Sequence, residues 1–209
     1  MNELIQKLET AVLRRNPALA ESFQPGLSPE KIKKELNKVG INGALEPVIE
    51  LYSWKNGTVL QGTSETFHAG LKGGFTPPMV IQLSEEIKQT LLASVGIKRE
   101  TDIEAYHFIP LRKASITVRS FPEYAQTYPK LSIVIGRYFP FLWNGSSDHI
   151  AVDIKPGSGS RVVTIQTQEE YPLREAYASF EEFLKDAIRA NENNEPLACL
   201  RAPGKPITA

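Results

Sequence analysis

The chain has 209 residues, 24 Lys plus Arg against 24 Asp plus Glu, and one cysteine, Cys199. A net charge of zero offers no overall attraction to nucleic acid or to an anionic membrane, so neither is an expected partner, and a lone cysteine excludes an internal disulfide and fits a reducing compartment. No run of about 18 apolar residues provides a membrane span, and an N-terminus charged from Glu3 lacks the apolar core of a secretory signal, which leaves the cytoplasm as the default location.

In the opening segment Leu4, Leu8, Ala11 and Val12 recur at helical spacing and share one face. Asn16-Pro17 stops or bends that helix. A second helix follows in "GLSPEKIKKELNKVG". Ser28 is placed to cap it, Pro29 costs nothing at the first helical position, and Gly40 stops it. Its cluster Lys31, Lys33, Lys34, Lys38 reads as a solvated helix face. "LEPVIELYSWKNG" predicts a third helix with Val48, Leu51 and Tyr52 inward, ending at Asn56-Gly57.

The middle is less regular. "LKGGFTPPM" reads as a loop and "LSEEIKQTLLASVG" as a helix. "AYHFIPL" predicts a short strand. "KASITVRSFPEYAQTYP" is ambiguous: its β-branched residues favour strand, while the spacing of Phe121, Tyr124 and Ala125 suggests a short helix.

The last third is clearer. "LSIVIGRYF" predicts a buried strand. In "HIAVDI" the alternation sets Ile150, Val152 and Ile154 on one face and His149, Ala151 and Asp153 on the other, with His149 a polar outer-face residue. "KPGSGS" then turns the chain into the returning strand "RVVTIQT", a hairpin. "ASFEEFLKDAIRAN" closes the fold as a helix. Ser179 and Glu182 stand in capping-box register, and Phe180, Phe183, Leu184, Ala187 and Ile188 form one apolar stripe. The predicted architecture is α+β: a mixed or largely antiparallel sheet covered by helices, in a single domain over residues 1–191. Residues 192–209 form a poorly ordered tail, rich in proline.

No motif for catalysis is legible. His68, His107 and His149 are scattered, and zinc needs three or four converging ligands. Asn144 and Asp148 raise calcium, but no bidentate carboxylate closes the loop. A Gly-x-Ser-x-Gly elbow is missing, and "GSGSR" joins two strands rather than opening a phosphate-binding helix. Glu85-Glu86 and Glu181-Glu182 sit in first helical turns, where they suit the dipole. Cys199 lies in the proline-rich tail, away from any activating base. The expectation is no catalytic residue, no metal at Asp148 or Asp153, and no cofactor. Trp54 and Trp143 are instead candidate anchors for a protein partner, because Trp is enriched in interface hot spots. Asn144 and Asp148 join Trp143 on a rigidly held turn.

Four segments carry a family resemblance: "GLSPEKIKKELNKVGI", "LEPVIELYSWKNGT", "YFPFLWNGSSDHIAVDIKPGSGSRVVTI" and "ASFEEFLKD". In their order and spacing, over most of residues 26–190, they resemble the SUKH superfamily. That group includes the yeast regulator of cell-wall glucan synthesis and many bacterial toxin-immunity proteins. Asn144 stands where the family often has Asp, and the region from Gly62 to Ser132 is long. The resemblance implies a SUKH-like α+β domain that binds another protein without catalysis, an immunity protein that neutralises a cognate toxin domain. The fungal relatives imply the alternative, a regulatory or scaffold protein linked to cell-envelope polysaccharide synthesis.

Overall fold

Apolar periodicity places the first helices as expected. In the computed structural model, which describes residues 1–15, 17–43, 45–58, 106–144, 148–193, 195–202 and 204–208, helix α1 (Asn2–Arg15) buries Ile5, Leu8, Ala11 and Val12, with Leu4 half-buried beside them. Helix α2 (Pro17–Ser22) restarts at the proline. Helix α3 (Pro29–Asn37) opens with the Lys31 amide donating to the Ser28 hydroxyl, and Gly40 turns the chain out with φ 72°. Helix α4 (Glu46–Trp54) buries Val48, Leu51 and Tyr52. It ends before the expected Asn56-Gly57, because Lys55–Thr58 forms strand β2, paired antiparallel with β1 (Phe23–Pro25). That small ladder joins residues thirty or more positions apart, so no local spacing announces it.

The main sheet has five antiparallel strands in chain order: β3 (His107–Phe108), β4 (Tyr138–Trp143), β5 (Asp148–Asp153), β6 (Val162–Gln166) and β7 (Leu173–Tyr177). Directly opposed residues share a face, so the register defines two rows. His107, Trp143, His149, Ile165 and Leu173 run across one face. Phe108, Leu142, Ile150, Thr164 and Arg174 run across the other. Helix α5 (Leu111–Thr127) covers the first face, with Phe121 edge-on to His149 at 6.2 Å. Helices α4 and α6 (Phe180–Asn193) cover the second. There Tyr52 meets Phe108 at 5.2 Å, and Phe183 meets Phe141 at 5.0 Å and Tyr177 at 5.7 Å. Helix α1 packs along α6. The architecture is α+β, with an antiparallel sheet between helices.

Several expectations are corrected. Residues 111–127 form one helix, despite Ile116, Thr117 and Val118. Leu111, Ala114, Ser115, Val118 and Phe121 recur at helical spacing and are buried. Burial of that stripe outweighs propensity differences of a few tenths of a kcal/mol per residue. Pro122 is tolerated inside it. The apolar run from Leu131 splits: Pro129–Val134 is a 3-10 helix burying Leu131 and Val134, and Gly136, with φ 69°, turns the chain into β4. A short apolar run does not distinguish these outcomes by period alone. Strand β7 was not expected. His149 and Asp153 are not on an open face; both are buried, His149 against Phe121 of α5 and Asp153 against Arg137 and Arg161. The loop and helix expected within residues 59–105 lie outside the described residues.

The tail is also corrected. Helix α6 runs to Asn193, and a short helix α7 (Ala198–Arg201) follows. Leu197 and Cys199 are buried. The Asp186 carboxylate accepts from the Tyr177 hydroxyl at 2.6 Å, the Ala198 amide at 2.7 Å and Arg189 Nε at 2.8 Å. Burial opposes the Asp186 charge, but these donors outweigh it and hold its pKa below the usual carboxylate value. Prolines signal the lack of regular structure, not the lack of docking.

The closing helix is capped almost as its sequence states. The Glu182 amide donates to the Ser179 hydroxyl at 3.2 Å, while the Glu182 carboxylate accepts from the Ala178 amide at 3.1 Å, one residue upstream of the expected site. Phe183 is fully buried between β4 and β7. Phe183→Ala is expected to destabilise the fold by about 3–5 kcal/mol. A denaturant midpoint equal to wild type would show that α6 is not docked on the sheet through this ring.

Candidate binding site

At the β4–β5 junction two hydrogen bonds join the residues on either side of the turn. The Asp148 amide donates to Asn144 Oδ1 at 3.1 Å, and the Asn144 amide donates to the Asp148 carbonyl at 3.2 Å. Asn144 therefore closes the junction like a backbone turn. It is only 6% exposed, which corrects its expected role as a partner contact. Asp148 is half-buried. Residues 145–147, between Asn144 and Asp148, lie outside the described residues.

Trp143 is half-buried and packs on the core, with Lys113 Nζ 5.0 Å from its ring centroid. Register places it between His107 and His149, which are both buried. Trp54 is likewise half-buried, its ring 5.2 Å from that of Phe23. Both indoles thus serve as edges of the core, and Lys113 shields the open side of Trp143.

The buried Asp153 and Cys199 also have structural roles. Asp153 is fully buried, and its Oδ2 accepts from Arg137 Nη2 at 2.9 Å and Arg161 Nη2 at 3.4 Å. Its Oδ1 accepts from the Lys155 amide at 3.0 Å. The Asp153 bond raises the Arg137 pKa, and Arg137 also lies over the Tyr138 ring at 5.1 Å. This lock ties β4 to the β5–β6 hairpin. Burial pushes the Cys199 thiol up to about 11 and keeps it unreactive. Among the described residues no group of three or more His, Cys, Asp and Glu is arranged to hold a metal ion, and no helix is long and apolar enough to cross a membrane. His68 lies outside the described residues.

The surface that stands open was not singled out from sequence. On the outward face of α5, Ile116 is 43% and Tyr124 45% exposed, and Tyr128 at its end is 39% exposed. Ile135 and Tyr171 are also exposed. Tyr171 is joined to this surface by Lys130 Nζ, 5.3 Å from its ring. Arg112 and Arg119 flank the same helix face. Part of the signal was available: once residues 111–127 are read as a helix, Ile116 falls opposite the buried stripe, while Tyr124, three residues after buried Phe121, lies on its flank. Comparison with known proteins matched no family model, and no curated protein matched.

Two variants check this assignment of structural roles. Asp153→Ala removes the buried carboxylate from two half-buried guanidinium groups and is expected to cost about 1.5–3 kcal/mol; a loss within about 0.5 kcal/mol would show that the lock contributes little. His107 provides a pH test. Burial holds its imidazole below the usual 6.5, so on acidification the unfolded chain takes up the proton first. The stability present above that pH is therefore lost as pH falls towards the folded pKa. Urea midpoints at about pH 7.5 and 5.5 are expected to fall on acidification, and to fall less in His107→Gln. Equal falls would place the titrating group elsewhere.

Proposed function

We propose that this chain is a non-enzymatic protein-binding module of the SUKH kind, an immunity protein that neutralises a cognate bacterial toxin domain. Two things support the reading. The four sequence segments that resemble the superfamily supply α3, α4 with β2, the three central strands β4–β5–β6 of the main sheet, and α6. The observation that carries it is the exposed surface formed by Ile116 and Tyr124 on α5 and Tyr128 just beyond its end, continued by Lys130 and Tyr171. Tyrosine offers a large, stiff, amphipathic contact at low entropic cost, and Tyr and Arg are enriched among residues that dominate binding energy. Covering a toxin needs roughly 800 Å² on each partner, and a 17-residue helix with its flanking 3-10 turn offers a continuous surface on a rigid base.

The test is a paired measurement. A pull-down from the native host identifies the partner, and Tyr124→Ala with Tyr128→Ala is then compared with wild type. Because both side chains are exposed, the melting temperature is expected to stay near wild type. Affinity is expected to fall by about 2 kcal/mol or more, roughly thirtyfold in Kd, and protection against the toxin is expected to be lost. Undiminished affinity in the folded double variant would remove this face from the interface. Capture of polysaccharide-synthesis machinery rather than a toxin would replace the immunity reading with a regulatory one.

A further inference from the structure

Residues 204–207 run antiparallel to the outer edge of β7. The Glu175 amide donates to the Lys205 carbonyl at 3.0 Å, and the Ile207 amide donates to the Leu173 carbonyl at 2.8 Å. Between them Arg174 faces Pro206. In an antiparallel ladder, that pattern makes Arg174 and Pro206 a non-hydrogen-bonded pair, so position 206 directs its own backbone away from β7. Proline carries no amide there, which denies a donor to any further strand.

Gly204 is fitted to the same edge. A Cβ at this position would stand 1.6 Å from the Glu175 carbonyl oxygen, so only glycine allows the approach. The Arg174 guanidinium reaches the Gly204 carbonyl at 3.4 Å. The segment is thus specific in its fit but lightly held. Lys205, Pro206 and Thr208 are exposed, and Gly204 and Ile207 are half-buried. Exposed backbone with few buried apolar contacts opens at low free energy compared with the core strands.

We infer that the outer edge of β7 is a strand-acceptor site, which residues 204–207 fill in cis and which the same residues of a second copy of this chain fill in trans. The occupant is fixed by the edge itself. It must place glycine over Glu175, offer carbonyls to the Glu175 amide and Arg174, and supply an amide to Leu173. A second copy brings that segment by identity, and exchange of an identical element between protomers adds no new kind of contact. Strand addition to an open sheet edge is a general recognition mode.

The test uses the full chain and a synthetic acetylated peptide of residues 200–209. In wild type the Glu175 amide is expected to be protected from hydrogen exchange, but to exchange faster than the amides of β6. In Gly204→Val it is expected to exchange about tenfold faster or more, with β6 unchanged, because the segment no longer fits. Added peptide is expected to restore Glu175 protection in the variant and to leave wild type, whose site is filled, unaltered at the same concentration. A folded variant whose open Glu175 amide ignores millimolar peptide would overturn the inference. So would a wild-type Glu175 amide as slow as those of β6, which would mean that the segment never leaves. Ile207→Pro, which removes one inward donor without a steric clash at Glu175, gives the same readout should Gly204→Val fail to fold.

Discussion

The whole molecule depends on one constraint: the five-stranded sheet is covered on both faces. A sheet with one open face alternates apolar and polar residues, and polar side chains on the open side are satisfied by water. Here α5 closes one face and α4 with α6 the other, so β5 from His149 to Asp153 is buried throughout. Each polar group on that strand then needs a partner inside the protein. Asp153 finds Arg137, Arg161 and the Lys155 amide. These bonds fix where the hairpin turns, and the turn in turn sets the register of β6. Asp153 is thus the internal counter-charge of two arginines.

Closing both faces leaves the edges as the remaining liability. On the β3 side, the Thr58 hydroxyl donates to the Phe108 carbonyl at 3.0 Å, bringing β2 against the edge. Gly57 permits this, since a Cβ there would lie 2.4 Å from the Pro110 nitrogen. On the β7 side, residues 204–207 cover the edge. The chain therefore spends its N-terminal ladder and its C-terminal segment on the sheet, and the outer helix faces remain for contact with other molecules. This is why the exposed tyrosines of α5 bear on function more directly than the tryptophans, whose rings are partly used by the core.

The local devices were legible because their causes are local. Ser28 caps α3 and Ser179 caps α6 through amides three residues away, and Gly40 takes the positive φ that a helix end favours. Phe180, Phe183, Leu184 and Ala187 form the stripe that their spacing states. The β5–β6 hairpin follows from two β-branched runs joined by "KPGSGS". For such features the sequence window contains the whole interaction, and no distant residue is needed to decide the outcome.

Sequence by itself thus determined the helices with strong apolar periods, their caps, the β5–β6 hairpin and the α+β class. Tertiary structure decided the rest. It made residues 111–127 a helix, because the sheet rewards a buried stripe more than β-branching opposes it. It buried His149 and Asp153, because a face is polar only if nothing covers it. It paired β1 with β2 and docked 204–207 on β7, because ladder hydrogen bonds between distant segments leave no period in either one. It left Trp143 half-buried and Tyr124 exposed, since exposure belongs to the assembled surface and not to the residue type.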